Sequence, residues 1–558
     1  MPSAPKPSLR GADIVAQALA HAGMRTVFTL SGNHIMALFD AALDTGLRLI
    51  HVRHEAAAVH MADAWGRLTG EPGVALVTGG PGHTNAVAAL YTALAAESPL
   101  VLLSGHVASD EVGRGGFQEV RQAEMAAPVA KASWTARSVA DLGRDIAAAV
   151  RIAKSGRPGP VHVSLPVDLQ EARVASDAVA RPAAQEFSPT AAPLSDRGAD
   201  GVLAALAAAA RPLILAGPAL CDAPGRALLD RLAEATGVPA VGMEGPRGLN
   251  DTTLGAFAEV LARADLLVLL GKPFDYALRF GGAPQIDPAC RFVVVDPDHT
   301  MIGRSARAVG DRLLGSAIAD SRAAAETLIA RTAARRNIPD AWFEEVQDAV
   351  RYRPPAWQST HSQRDGAVHP LEFCRAIQSI VEQRPNAVLV CEGGEIGQWP
   401  QATLNPPRRL INGIAGSIGA AIPFGIAARL ADPQALVVVV MGDGAFGFHM
   451  TEFDTAVRYG APFVVVLGND AGWNAEHQIQ LREYGRARAH GCELLPTRYD
   501  QVVVALGGHG ELVTGAADLG PAVERAIASG KPACVNVMIE RVPAPIIRRA
   551  LSSLAVTG

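Results

Sequence analysis

The 558-residue chain has no CxxC pair; its six cysteines (221, 290, 374, 391, 492 and 534) are scattered. That spacing argues against a zinc ribbon or a dithiol redox motif. It fits buried thiols kept reduced in the cytoplasm, where the protein is expected to reside. No apolar run approaches the ~20 residues that span a bilayer. The start, MPSAPKPSLRGADIVAQALAHAG, lacks the apolar core of a signal peptide. Neither sign of charge is in excess: 50 Lys and Arg stand against 55 Asp and Glu, a net of −5. Nucleic acid and anionic membranes are therefore not indicated as partners.

What the chain does have is apolar content, 49% of residues, and a length that suggests three to four domains. From the start to about residue 180, strand-like apolar runs (26–30, 47–52, 74–77, 100–103, 161–165) alternate with Ala-rich helical segments. That alternation predicts a doubly wound α/β domain with a parallel sheet. The Ala, Pro and Ser-rich stretch 171–196 reads as a linker. A second α/β block follows over 196–335. It contains no GxGxxG, so a nicotinamide- or flavin-binding reading starts weak. Residues 337–367 turn polar and read as a second linker. A third α/β block covers 368–540, and 541–558 form a basic, proline-punctuated tail that could act as a lid.

The third block is organised around Ala435–Trp473, ALVVVVMGDGAFGFHMTEFDTAVRYGAPFVVVLGNDAGW. Two buried strands flank a helical segment, a βαβ unit whose strands must be parallel. Asp443 and Asn469 then emerge at the carboxyl edge of one sheet, where open α/β sheets bind ligands. A carboxylate and an amide oxygen are hard donors suited to Mg²⁺, which completes its shell with phosphate oxygens. Gly442 and Gly444 let backbone N–H groups approach a diphosphate, and a helix N-terminus favours negative charge. In the first block, Arg53-His54-Glu55 ends a strand and opens a helix. Glu55 can be a helix-terminal charge or a functional carboxylate. VTGGPGHTN (77–85) is a further strand running into a glycine turn.

GDG followed, after 24 residues, by an asparagine that ends an apolar strand resembles the thiamine diphosphate signature. RHEAAAVHMADAWGRLTGEPGVALVTGGPG is similar to that superfamily's glutamate helix, and GSIG (416–419) to its cofactor-bending segment. The resemblance implies thiamine diphosphate and Mg²⁺ as cofactors, with the metal on Asp443, Asn469 and the Ala471 carbonyl. The cofactor itself falls to Glu55, Gly394, Glu395, Gly416, Ile418, Gly442, Asp443, Gly444, Ala445 and Asn469. Glu55 would hydrogen-bond the aminopyrimidine and favour its imino form. The resemblance also implies an obligate homodimer or homotetramer with sites between subunits.

TEFDTAVRY (451–459), LLPTRYDQVVVALGGHG (494–510) and ASGKPACVNVMI (528–539) look like the CoA-thioester branch, above all 2-hydroxyacyl-CoA lyases. The implied reaction cleaves a 2-hydroxyacyl-CoA, with 2-hydroxyisobutyryl-CoA a candidate, to formyl-CoA and an aldehyde or ketone. Oxalyl-CoA decarboxylase and CoA-free carboligases of the acetolactate synthase or benzaldehyde lyase type are the alternatives. Gln118 and His34 are expected at the reacting centre. Glu493, placed by chain position to fold over the substrate, would gain a raised pKa by desolvation and serve as acid–base; a surface glutamate is its plainer reading. Arg541, Arg548 and Arg549 could grip CoA phosphates. Arg157 of the first block and Asp296 of the middle block match the ADP-holding residues of oxalyl-CoA decarboxylases, but Pro218 replaces their lysine.

Overall fold

A computed structural model of the chain describes residues 8–332, 340–404, 406 and 408–549. It contains three parallel sheets in chain order, each wrapped by helices. The first holds β1 (Thr26–Thr29), β2 (Arg48–His51), β3 (Gly73–Val77), β4 (Leu100–His106), β5 (Ala132–Thr135) and β6 (Pro160–Pro166). Their spatial order is β2-β1-β3-β4-β6-β5. The middle sheet, β7 (Pro212–Ala216), β8 (Ala240–Gly242), β9 (Leu266–Leu270), β10 (Arg291–Val295) and β11 (Leu313–Ala317), runs β8-β7-β9-β10-β11. The third comprises β12 (Val388–Cys391), β13 (Arg408–Ile411), β14 (Val437–Gly442), β15 (Val464–Asn469), β16 (His509–Val513) and β17 (Ala533–Met538). Its order, β13-β12-β14-β15-β17-β16, repeats that of the first. Each sheet is covered on both faces, which is why its central strands are unbroken apolar runs rather than alternating ones.

Both stretches read as linkers carry structure. Arg173–Ala175 pairs antiparallel with Ser8–Arg10, tying the end of the first domain to its start. Residues 340–351 form a helix that packs Trp342, Val346 and Ala349 into the middle core, with Trp342 Nε1 donating to the Pro212 carbonyl at 3.0 Å. The tail is described as far as Arg549; the expected segment 550–558 lies outside the described residues, as do 1–7 and 333–339. No described helix is long and apolar enough to cross a membrane.

The first and third sheets share one continuous core. Its seam is the helix Glu55–Thr69 against the helix Ala421–Ala431, where small residues (Ala57, Ala58, Ala62, Ala427, Ala428) are fully buried. Polar ties complete the seam. Arg53 N–H donates to Glu452 Oε1 at 2.9 Å and His51 N–H to the Tyr459 hydroxyl at 2.8 Å. Asp63, 0% exposed, is paired bidentately with Arg67 at 2.7 and 2.8 Å, and Arg67 also donates to the Ile411 carbonyl at 2.8 Å. Removing Arg67 strands a buried carboxylate. Arg67→Ala should therefore cost about 3–5 kcal/mol, seen as a lowered thermal unfolding transition, while the surface change Arg144→Ala stays within about 0.5 kcal/mol.

Candidate active site

In the third domain the chain switches direction between β12 and β14, the place where such sheets open a crevice at their carboxyl edge. A cavity of ≈ 270 Å³ lies there. Gly394 and Glu395 after β12, Gly416 and Ile418 after β13, and Gly442, Asp443, Gly444 and Ala445 after β14 all line it. These eight expected residues are thus collected in one place. Asp443, 1% exposed, is the first residue of the helix Asp443–His449, and its carboxylate accepts from Gly472 N–H at 3.1 Å. Trp473 packs against Gly444, leaving no room for a Cβ there.

Asn469 and Ala471 are not at the cavity. Asn469 is the last residue of β15, 0% exposed, and its amide donates to the Thr497 carbonyl and to Asn536 Oδ1, each at 3.1 Å. The Ala471 carbonyl already accepts from Leu494 N–H at 2.8 Å and Arg541 at 2.7 Å. The residues that line the cavity from this loop are Asp470 and Gly472. The expectation slipped by one residue, and side chains in a strand alternate faces, so one residue turns a ligand into an internal tie. A Cβ on the preceding Gly468 would meet Ile396 at 2.6 Å.

Asp443 and Asp470 both line the cavity, close enough for the charge of one to act on the other. Burial raises the pKa of Asp443, and burial followed by the Asp443 charge raises that of Asp470. Arg541, the nearest cation, spends its guanidinium on the carbonyls of Asp470 and Ala471 and on Glu493. The described residues hold no cluster of three or more His, Cys, Asp or Glu able to bind a metal. Two carboxyls facing one another and a backbone carbonyl nevertheless suit a hard cation that takes its remaining oxygens from a phosphate and water. A diphosphate could rest on the glycine turns at Gly394 and Gly442–Gly444.

Glu392 escaped the sequence reading. Fully buried, its carboxylate accepts from the N–H groups of Gly393 (2.9 Å), Gly419 (3.0 Å) and Ala421 (2.9 Å), and burial raises its pKa. It joins the two walls of the cavity, one carrying Gly394 and the other Ile418. Only its place one residue beyond an apolar strand hinted at it.

The second half of the expected site sits on the first domain, and no residue of that domain lines the cavity. Glu55, 8% exposed, opens the helix Glu55–Thr69 and accepts from Asn85 at 3.0 Å. Beside it, Thr78 Oγ1 contacts His34 Nδ1 at 3.1 Å, and the His34 ring stacks on Phe117 at 6.2 Å. Burial lowers the His34 pKa, favouring the neutral ring. Gln118 has φ +62° and its backbone lies against Gly80. Its loop is fixed by Glu119, which accepts from Gly115 at 3.0 Å and Gly116 at 3.1 Å. Glu55, His34 and Gln118 therefore gather at one sheet edge.

Three family profiles match this chain in order: the N-terminal thiamine pyrophosphate-binding domain over 9–125, the central domain over 199–319 and the C-terminal thiamine pyrophosphate-binding domain over 393–537. The chain belongs to the thiamine pyrophosphate enzymes. An acetolactate synthase large subunit of Mycobacterium tuberculosis is 34% identical over 96% of this chain and 97% of its own. Human 2-hydroxyacyl-CoA lyase 2 is 31% identical over 91% and 86%, and the 2-hydroxyacyl-CoA lyase of Arabidopsis thaliana 28% over 96% of each. In this thiamine pyrophosphate enzyme the two cofactor domains are the two sheets of identical strand order.

Glu493 departs from expectation. Its side chain is 70% exposed and ion-paired with Arg541 at 2.8 Å, which holds its carboxyl below the usual range instead of raising it. The pair anchors the loop carrying Asp470 to the tail. Arg541 is consequently not free for a CoA phosphate, and Arg549 is bound to Glu259 at 2.8 Å. Glu493→Gln should turn over close to the wild-type rate, whereas a general acid–base group would cost about 10²–10⁴-fold in kcat.

Proposed function

We propose that this enzyme is a carbon–carbon lyase that cleaves a 2-hydroxyacyl-CoA, with 2-hydroxyisobutyryl-CoA a candidate, to formyl-CoA and an aldehyde or ketone. The observation that carries the chemistry is the facing pair Asp443 and Asp470 beside a glycine-lined cavity at the switch point of the third sheet. The CoA ester as substrate is supported by the likeness, over nearly whole chains, to proteins named 2-hydroxyacyl-CoA lyase. The 34% identity to a mycobacterial acetolactate synthase favours a second reading, carboligation of 2-oxo acids.

Mg²⁺ is assigned to the carboxylates of Asp443 and Asp470 and to the Gly472 carbonyl. Bound thiamine diphosphate supplies an electron sink for the severed carbon–carbon bond. The chain's residues do the rest. Gly394, Gly442, Gly444 and Ala445 receive the diphosphate. Ile418 would support the cofactor, and the Gly416 carbonyl would accept from its amino group. Glu55 would accept a hydrogen bond from the pyrimidine ring and stabilise positive charge on it. Gln118 and neutral His34 orient the substrate carbonyl and hydroxyl as uncharged partners.

Glu55 and the cavity lie on different domains, and the cavity draws its lining only from the middle and third domains. A second copy supplying its Glu55 completes each site, in a homodimer or homotetramer. Exposed apolar side chains at both halves, Val112 and Phe117 on one and Phe448 and Leu495 on the other, are of the kind a partner covers. The six cysteines, all free and buried, suit a cytoplasmic protein.

Purified enzyme supplied with thiamine diphosphate and Mg²⁺ should release formyl-CoA and carbonyl product in equal amounts from a 2-hydroxyacyl-CoA. Acetolactate from pyruvate, with CoA esters untouched, would establish the second reading instead. By calorimetry, Asp443→Ala and Asp470→Ala should lose Mg²⁺-dependent cofactor binding, while Asp470→Asn, which keeps the oxygen donor, should retain it. Loss on Asn469→Ala alone, with Asp470→Ala unaffected, would return the metal to Asn469.

A further inference from the structure

The middle domain has its own switch point, between β7 and β9, and resemblance to oxalyl-CoA decarboxylases implies a nucleotide there. The residues present do not fit one. The loops that should part to form the crevice touch: a Cβ on Gly217 would stand 2.2 Å from the Gly271 carbonyl oxygen. Part of the edge is occupied from the first domain. Arg157 donates to Asp296 Oδ1 and to the Gly271 carbonyl, each at 3.0 Å, and pairs with Glu97. Glu97 Oε2 in turn accepts from Ala219 N–H at 3.0 Å, at the turn following β7 where a phosphate oxygen would be received.

Three further turns at this edge have a backbone donor taken by a carboxylate of the chain. Asp222 caps the helix Ala223–Thr236 through Gly225 N–H at 2.7 Å. Asp275 accepts from Ala277 N–H at 2.9 Å and pairs with the fully buried Lys272 at 3.1 Å. Asp298 caps the helix that follows β10 through Thr300 N–H at 2.8 Å. A phosphate would meet carboxylates at every turn and no free cation among Arg157, Lys272 and Arg322, the last being paired with Asp222 at 2.6 Å. The Glu97–Arg157 pair also forms the wall between two cavities of ≈ 430 and ≈ 630 Å³, both lined by Glu97, Gly156, Arg157 and Pro158. Glu97 holds φ +53°, a conformation non-glycine residues keep only where the surroundings impose it.

We propose that the middle domain of this enzyme takes no nucleotide. It is instead a docking module whose crevice is occupied from within by Glu97 and Arg157 of the first domain, Glu97 standing where a phosphate would. The proposal is independent of which acyl group the active site cleaves. Purified full-length enzyme should show no flavin absorption, and calorimetric titration with ADP or FAD should give no binding heat at millimolar nucleotide. Flavin carried through purification, or saturable binding of either nucleotide, would overturn it. Glu97→Gln, which keeps the shape and removes the charge, should lower the first thermal unfolding transition by a few degrees; an unchanged transition would refute the docking role. Should that variant fail to fold, the nucleotide titrations of the wild-type enzyme still decide the matter.

Discussion

Two carboxyl groups confined together at the end of a parallel sheet are the constraint around which this molecule is arranged. Asp443 begins a helix and Asp470 follows the neighbouring strand, so the βαβ crossover that joins them fixes their approach. Burial opposes the ionisation of both, and neither has a cationic side chain devoted to it. A divalent cation with its phosphate, as proposed, would relieve that conflict and make the cofactor part of the local electrostatics. The surrounding scaffold holds the geometry. Glu392 joins the two walls of the cavity, Trp473 closes on Gly444, and Arg541 holds the backbone carbonyls of the Asp470 loop.

Three sheets of related winding have been put to different uses. The third presents open glycine turns and a carboxyl pair. The first, with the same strand order, presents Glu55, Thr78, His34 and Gln118 along its edge. The middle sheet has the same kind of edge but closes it with internal carboxylates and an arginine from its neighbour. What distinguishes a binding edge from a structural one is whether its backbone N–H groups are already satisfied.

The sequence made the architecture legible because strands buried on both faces leave continuous apolar runs and the glycine turns follow them directly. Asp443 and its glycines were readable for the same reason, whereas Gly394 and Ile418 followed from the family resemblance. In the metal loop the cavity is lined by Asp470 and Gly472 and not by the expected Asn469 and Ala471: Asn469 fits the amide chemistry, yet only the end of β15 decides which side chain faces the cavity. Glu493 was misjudged because its partner, Arg541, lies 48 residues away, and an exposed ion pair leaves no local pattern. The helix at 340–351 was hidden by its polar composition, although Trp342, Val346 and Ala349 keep helical spacing. Glu97 drew no reading from the sequence, since its contact with Ala219 spans 122 residues.

The central claim is that one cofactor is held by the third domain of one copy and activated by Glu55 of another. Subunit complementation tests it directly. Glu55→Gln and Asp443→Ala subunits, each inactive alone, are dissociated, mixed in equal amounts and reassociated with thiamine diphosphate and Mg²⁺. If sites form between copies, each mixed dimer contains one intact site, and random pairing should restore about a quarter of wild-type activity. Activity that stays at the level of the separate variants, with mixed dimers demonstrated by mass, would contradict the account and place both halves of the site within a single chain.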